Sequence, residues 1–300
     1  MSSTGQSKRM IHRGDAEARR ETNAKPFALS GRGGIVVCCV IAMLVLCVSA
    51  PAEEITVAAA SDLQFALREI AQNYEKKTGN TVKLTFGSSG ALSAQIQNGA
   101  PFDLFFSADA SYPEALVKNG VADGKTLARY ARGILVLWVE NGQPLGGQVG
   151  GIVMADLNSL TAPGIKKIAI ANPQHAPYGR AAIEAMKKSG VYDKVAAKLV
   201  MGENVSQAAQ YAESENAQAA LIPLSLAQAA KSLQQRGRYI PVPQDLYAPI
   251  IQAGVVTKQA RNAATAAGFL RYVVSTEGVL TLRNYGFEAR ELNPPPAVQP

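Results

Sequence analysis

The chain has 300 residues, 47% hydrophobic and 18% charged, with a formal net charge of +7, enough length for two domains that each bury a core. Seven basic and three acidic residues fall within positions 1–52, which leaves 23 basic against 20 acidic residues and only +3 beyond them; the high overall charge therefore argues poorly for a nucleic-acid partner. Cys38, Cys39 and Cys47 are the only cysteines and all precede position 52, so thiol chemistry and disulfides are excluded from the rest.

Residues 1–34 are polar and basic, and an uncharged apolar run follows from Ile35 to Val48. Small residues come next in Ser49-Ala50-Pro51-Ala52. This order reads as a secretory signal peptide over 1–52, with a long basic leader that points to a start downstream, at Met10 for example. An uncleaved anchor is the alternative, but the run is shorter than the ~20 residues a spanning helix needs. Leu46 before Cys47 is bulky for a lipidation site.

From Glu54 strand-like and helix-like pieces alternate. Ile55 and Val57 open a strand ending at Ser61, and Leu63, Ala66, Leu67, Ile70 and Tyr74 recur at helical spacing up to Gly79. Val82, Leu84 and Phe86 form a second strand, Leu92 and Ile96 a helix closed near Gly99, 103–107 a buried strand, and 111–118 a helix with Pro113 in its first turn. This β-α-β-α-β order implies an α/β lobe with a mostly parallel sheet covered on both faces. Ile134–Val139 leads into a second lobe with a short helix over 155–160, a strand over 167–171, a helix over 180–188, and further pieces over 195–200, 205–212 and 219–222. Pro241, Pro243 and Pro249 mark the way back, and 255–256, 260–274 and 277–285 complete the first lobe. The lobes are expected at 53–133 with 247–300, and at 134–246, with a ligand cleft between them. The tail from Asn293 is proline-rich and reads as disordered.

Three polar loops stand where strands give way to helices: Ala59-Ala60-Ser61-Asp62, Gly87-Ser88-Ser89-Gly90 and Ala176-Pro177-Tyr178-Gly179. Helix N-termini expose unpaired N–H groups and a positive partial charge. Several such ends without a Lys or Arg motif point to a small, deprotonated oxyanion held by neutral donors.

These loops, with Ala100-Pro101-Phe102-Asp103-Leu104-Phe105-Phe106-Ser107-Ala108-Asp109, Asn172-Pro173-Gln174-His175, Gly202-Glu203-Asn204-Val205-Ser206-Gln207 and Arg283-Asn284-Tyr285-Gly286-Phe287, occur in an order that resembles the periplasmic molybdate-binding proteins of ABC importers, over residues 54–288. The resemblance implies a type II periplasmic-binding-protein fold, a monomer that performs no chemistry and uses no cofactor, molybdate or tungstate as ligand, and an ABC permease as partner. It also implies that Ser61 and Ser89 offer hydroxyl and N–H groups from one lobe, and that Tyr178 and Val205 offer N–H groups from the other, the Tyr178 side chain being incidental. Some members add a tyrosine hydroxyl where this chain has Pro223, which donates nothing; Ser88 is a candidate replacement.

Other readings attach to the same residues. Ser61 and Ser89 are also good helix N-caps, Asp62 and Asp109 suit local capping or turn bonds, and Arg180 suits a solvated or lobe-bridging role. A receptor for sulfate or a small carboxylate is one alternative function. A secreted hydrolase is another; it would have to use His175, and no G-x-S-x-G elbow is present. No phosphate-binding G-x-x-x-x-G-K-[ST] loop is present either.

Overall fold

The computed structural model describes residues 52–149 and 152–289; the expected leader, apart from Ala52, and the proline-rich tail lie outside them. The chain opens with β1 (Glu54–Ala60), a 3-10 turn (Ser61–Leu63), α1 (Gln64–Thr78), β2 (Thr81–Gly87), α2 (Ser89–Gln97), β3 (Leu104–Ser107) and α3 (Ser111–Lys118). Then β4 (Ala128–Gly133) and β5 (Leu135–Glu140) run on with only Ile134 between them. An antiparallel ribbon, β6 (Gly146–Val149) with β7 (Ile152–Ala155), precedes a 3-10 turn over Leu157–Thr161 in place of the expected short helix. Asp156 caps that turn by accepting from the Asn158 N–H, a local bond that favours a tight turn over a full helix.

The chain continues through β8 (Ile168–Ala171), α4 (Pro177–Lys188), α5 (Tyr192–Val195), β9 (Leu199–Gly202), α6 (Val205–Glu213) and β10 (Ala219–Pro223). After α7 (Leu224–Ala229), α8 (Lys231–Arg236) and β11 (Gly237–Pro241) it returns through β12 (Ile250–Val256) and ends in α9 (Ala263–Val273) and α10 (Thr276–Asn284).

Two five-stranded sheets result, in the orders β2-β1-β3-β12-β4 and β11-β5-β10-β8-β9. The expectation of mostly parallel sheets is corrected. In each sheet two pairings are parallel and two antiparallel. The parallel pairs come from β-α-β crossovers. The antiparallel ones involve strands that carry the chain between sheets: β4 leaves the first where β12 re-enters it, and β5 enters the second where β11 leaves it.

Both faces of the first sheet are covered, and its side chains alternate accordingly. Ile55, Val57, Ala59, Phe106 and Val256 point into a core with Leu67, Ile70, Phe269 and Leu282 from the helices. Ala58, Phe105 and Val255 point the other way, against Leu92, Ile96 and Leu116. The second lobe packs around Trp138, whose indole N–H donates to the Leu233 carbonyl at 2.9 Å, a buried donor given its partner.

Gly133 ends β4 at the crossing between lobes. A Cβ there would overlap the Tyr178 hydroxyl oxygen and lie 2.9 Å from Gln252 Nε2, so only glycine lets the ring reach this point. Gly133→Ala is expected to cost about 1–3 kcal/mol, the usual range for overpacking a filled interior, measured by urea unfolding. An unchanged midpoint would show that the ring is free to leave.

Candidate functional site

In the first sheet Ala60 and Gly87 are register partners on parallel strands, so Ser61 and Ser88 emerge side by side at one sheet edge. In the second, Ala171 and Gly202 are partners, and the loops into α4 and α6 leave that edge together. The two edges face each other across four hydrogen bonds. The Gly90 N–H donates to the His175 carbonyl at 2.9 Å, and Ser88 Oγ lies 2.9 Å from His175 Nδ1. Ser206 Oγ donates to Gln64 Oε1 at 2.9 Å, and Ser225 Oγ to the Asp62 carbonyl at 2.8 Å. Ser61, Ser89, Tyr178 and Val205 are thereby drawn to one interlobe face and left only 2%, 1%, 1% and 6% exposed. Ser89 and Val205 are the first residues of α2 and α6, and Tyr178 the second of α4 behind Pro177. Their N–H groups lie in first turns, where a helix supplies no acceptor.

The hydroxyls differ. Ser89 Oγ accepts from the buried Ala108 N–H at 3.0 Å, which leaves its own proton available to an anion. Ser61 Oγ donates to the Gly87 carbonyl at 3.1 Å, so in this arrangement only its N–H is uncommitted. Neither hydroxyl caps its own helix; the N-cap positions are Ala60 and Ser88, without side-chain cap bonds. Ser88, the expected replacement for a tyrosine at Pro223, is held by His175. Pro223 ends β10 opposite Leu135.

The Tyr178 side chain is not incidental. Its N–H belongs to the second lobe, but its ring is buried and its hydroxyl accepts from Gln252 Nε2 of β12 at 3.2 Å. The same nitrogen donates to Asp62 Oδ2 at 2.6 Å, and Gln252 Oε1 accepts from the Tyr130 hydroxyl at 2.7 Å. Asp62 is thus no local cap. It is fully buried, and burial pushes its carboxyl up to about 6, against hydrogen bonds from Gln252 and Tyr178 that favour the charged form. Burial, and then the nearby Asp62 charge, raises the Tyr178 and Tyr130 phenols well above their ordinary range. Sequence reading missed Gln252, yet a signal was present: it is the lone polar residue in the apolar run Ile250–Val256.

Arg180 bridges lobes. It pairs with Asp109 Oδ2, donates to the Tyr112 hydroxyl at 3.1 Å and lies over the Tyr112 ring. Asp109 also accepts from the Ser111 N–H at 2.9 Å, a turn bond. Ser88, His175 and Glu203 follow the order of a hydrolase triad. The 3.6 Å between His175 Nε2 and Glu203 Oε2 exceeds hydrogen-bond reach, however, and the Glu203 side chain is 79% exposed. A cavity of about 310 Å³ opens beside Arg180, lined among others by Asp109, Pro177, Glu184 and Pro249, but by none of the four predicted residues. Among the described residues no group of His, Cys, Asp and Glu is placed to hold a metal ion, and no helix is long and apolar enough to cross a membrane.

Two facing strand edges that gather helix starts around a buried interlobe point are a layout for holding a small solute. The sequence pattern of bacterial extracellular solute-binding proteins matches residues 55–288. The chain belongs to that family. It is 37% identical to the molybdate-binding protein ModA of Rhodobacter capsulatus, over 81% of this chain and 91% of that one. Identity to ModA of Azotobacter vinelandii is 34%, over 81% and 92%. The solved Azotobacter vinelandii periplasmic molybdate-binding protein superposes with a TM-score of 0.70 at 33% identity, covering 79% of this chain and 99% of that one. The two-lobe α/β architecture is that of this family.

Because the folded protein holds the Asp62 proton up to about pH 6, the unfolded chain loses its proton first as pH rises from about 4. Stability is therefore expected to fall by about 3 kcal/mol between pH 4 and 6 on this account. Asp62→Asn removes that contribution. Denaturation midpoints of both proteins across this range check it, and parallel pH profiles would refute it.

Proposed function

We propose that the protein captures molybdate, and tungstate with it, in the interlobe cleft outside the cytoplasm, and delivers it as a monomer to the permease of an ABC importer without chemistry on the anion. One arrangement carries this reading: Ser61, Ser89, Tyr178 and Val205, whose N–H groups lie in first turns, are buried on elements that meet across the lobes, the Ser89 hydroxyl keeps its own proton, and Arg180 is spent on Asp109. Kinship with the two ModA proteins supports molybdate within the class of oxyanions.

The physics favours such a ligand. A dianion without a proton only accepts hydrogen bonds, so a site made of donors suits it. Protonated phosphate sets its own O–H against a donor, at about 1–3 kcal/mol for an unsatisfied buried group. Hydrogen bonds to an ionised acceptor contribute about 1.5–3 kcal/mol each. Only the closed form engages donors of both lobes, so binding shifts an open–closed equilibrium toward closure.

Titration calorimetry on anion-stripped protein tests the reading: heat from molybdate and tungstate and none from sulfate or phosphate is expected. Sulfate heat alone would replace the ligand, and silence from all four would overturn the receptor. Ser89→Ala is expected to weaken molybdate binding about 10- to 100-fold, the worth of one charge-assisted bond. It is also expected to cost about 1–3 kcal/mol of stability, because the buried Ala108 N–H loses its acceptor.

Gly90→Ala probes closure separately. Its Cβ would lie 2.9 Å from the His175 carbonyl oxygen across the cleft, whereas alanine in a helix is intrinsically favourable. Molybdate affinity should fall while the anion-free protein melts no lower. Equal affinity would mean that the lobes do not meet at this point when loaded.

A further inference from the structure

Tyr178 belongs to both lobes. Its backbone starts α4 in the second lobe, while its ring passes into the first and ends against Gly133, the last residue of β4. The hydroxyl meets Gln252, on the strand by which the chain returns. One side chain therefore touches both strands at the crossing. Behind it, a single Gln252 amide nitrogen serves Tyr178 Oη at 3.2 Å and Asp62 Oδ2 at 2.6 Å, which makes those two oxygens neighbours. Tyr130 anchors the other end of the amide by donating to Oε1, its oxygen lying 3.1 Å from the Ser107 carbonyl oxygen. Gln252 is accordingly fixed in orientation: its carbonyl faces a donor and its amide faces two acceptors.

The Asp62 carboxyl is where this network meets the second lobe. Asp62 Oδ1 is buried without a hydrogen-bond partner. The Tyr178 hydroxyl accepts from Gln252 and gives its own proton to the Asp62 carboxylate. An unmet buried acceptor costs about 1–3 kcal/mol, so the carboxylate depends on the donor that the opposite lobe carries to it. Parting α4 from the Ser61–Leu63 turn would break that bond.

We propose that Asp62 is a positioning residue which, by taking the Tyr178 hydroxyl as the lobes draw together, latches α4 to the first lobe and holds the Tyr178 N–H over the anion. The inference rests on the anion-receptor reading above and adds to it the device that sets how long the anion stays. The donors on the interlobe face govern capture. The latch is reached only after closure, so it governs release. Asp62 follows Ser61 and Tyr178 is itself a donor residue, so the latch ties a donor of each lobe directly to the crossing strands.

Tyr178→Phe tests this with the N–H, the ring and the fit against Gly133 all retained. Uptake and release of radiolabelled molybdate, chased with unlabelled molybdate, are followed for the whole protein, for Tyr178→Phe, for Asp62→Ala, which leaves no acceptor, and for the double variant. Release about tenfold faster in each single variant is expected, with association within about twofold of the parent. The double variant should release no faster than the faster single one, because both substitutions break the same bond. A purely structural role would lower the denaturation midpoint of the anion-free protein and leave release below that midpoint unchanged. Unchanged release in Tyr178→Phe, or additive acceleration in the double variant, overturns the latch. If the parent takes up no label, the ligand assignment fails on its own, and the latch is then read by small-angle scattering in the absence of anion. A larger radius of gyration for Tyr178→Phe than for the parent supports it, and identical radii overturn it.

Discussion

A first-turn N–H cannot be buried without an acceptor, and the two lobes bury several at once. Ser89, Tyr178 and Val205 sit in the first turns of three helices, Ser61 opens a 3-10 turn, and the contacts between His175 and Gly90, Ser206 and Gln64, and Ser225 and Asp62 close over them. Each donor left without a partner costs about 1–3 kcal/mol. On the receptor reading the anion removes that cost, so closure and capture become one event. The open form keeps these groups in water, and neither state is strained.

The faces come this close because the residues at them are small. Ala58, Ala59 and Ala60 end β1 with almost no exposure, Ala108 and Ala176 stand beside the serine loop and the start of α4, and Gly90 meets the His175 carbonyl where a Cβ would collide. Larger side chains at these places would hold the strand edges apart and leave the helix starts wet. The bulk is displaced to the far sides of the sheets, where Phe105, Phe106 and Trp138 fill the cores. At the crossing the same logic appears at single-residue scale: Gly133 has no side chain so that Tyr178 can have a large one.

The alternation of strands and helices was legible because each core face leaves a period in the sequence, as Ile55, Val57 and Ala59 do along β1 and Leu67, Ile70 and Tyr74 along α1. The helix starts were legible for the same reason: Ser61, Ser89 and Pro177 mark where a strand period stops and a helix period begins. The share of antiparallel pairing was not, since β4, β5, β11 and β12 take their direction from chain crossings and not from any local pattern. β4 itself, Ala128–Gly133, carries Arg129 and Arg132 within a short run and gave no clean alternation. The hydroxyl of Ser61 read as a donor to a ligand and is turned to Gly87 instead, a choice set by a register that only the paired strands define. Gln252 and Tyr178 lie 74 residues apart, and no spacing rule connects them.

Charge placement accounts for how such a site selects. An unpaired arginine in the cleft would attract carboxylates and phosphates alike through its planar fork. Arg180, the cation nearest the start of α4, is instead engaged by Asp109 and stacked on Tyr112. Asp62, next to Ser61, has its charge tempered by burial and by hydrogen bonds from Gln252 and Tyr178. With the nearby cation spent, discrimination falls to the positions of fixed dipoles. Backbone N–H groups at helix starts are held by the strands behind them and cannot adjust by a rotamer as a lysine can, so an oxyanion whose oxygens fall short of them loses bonds that nothing replaces. On the proposed reading, sulfate carries the same charge as molybdate and shorter bonds, and would be refused for that geometric reason alone.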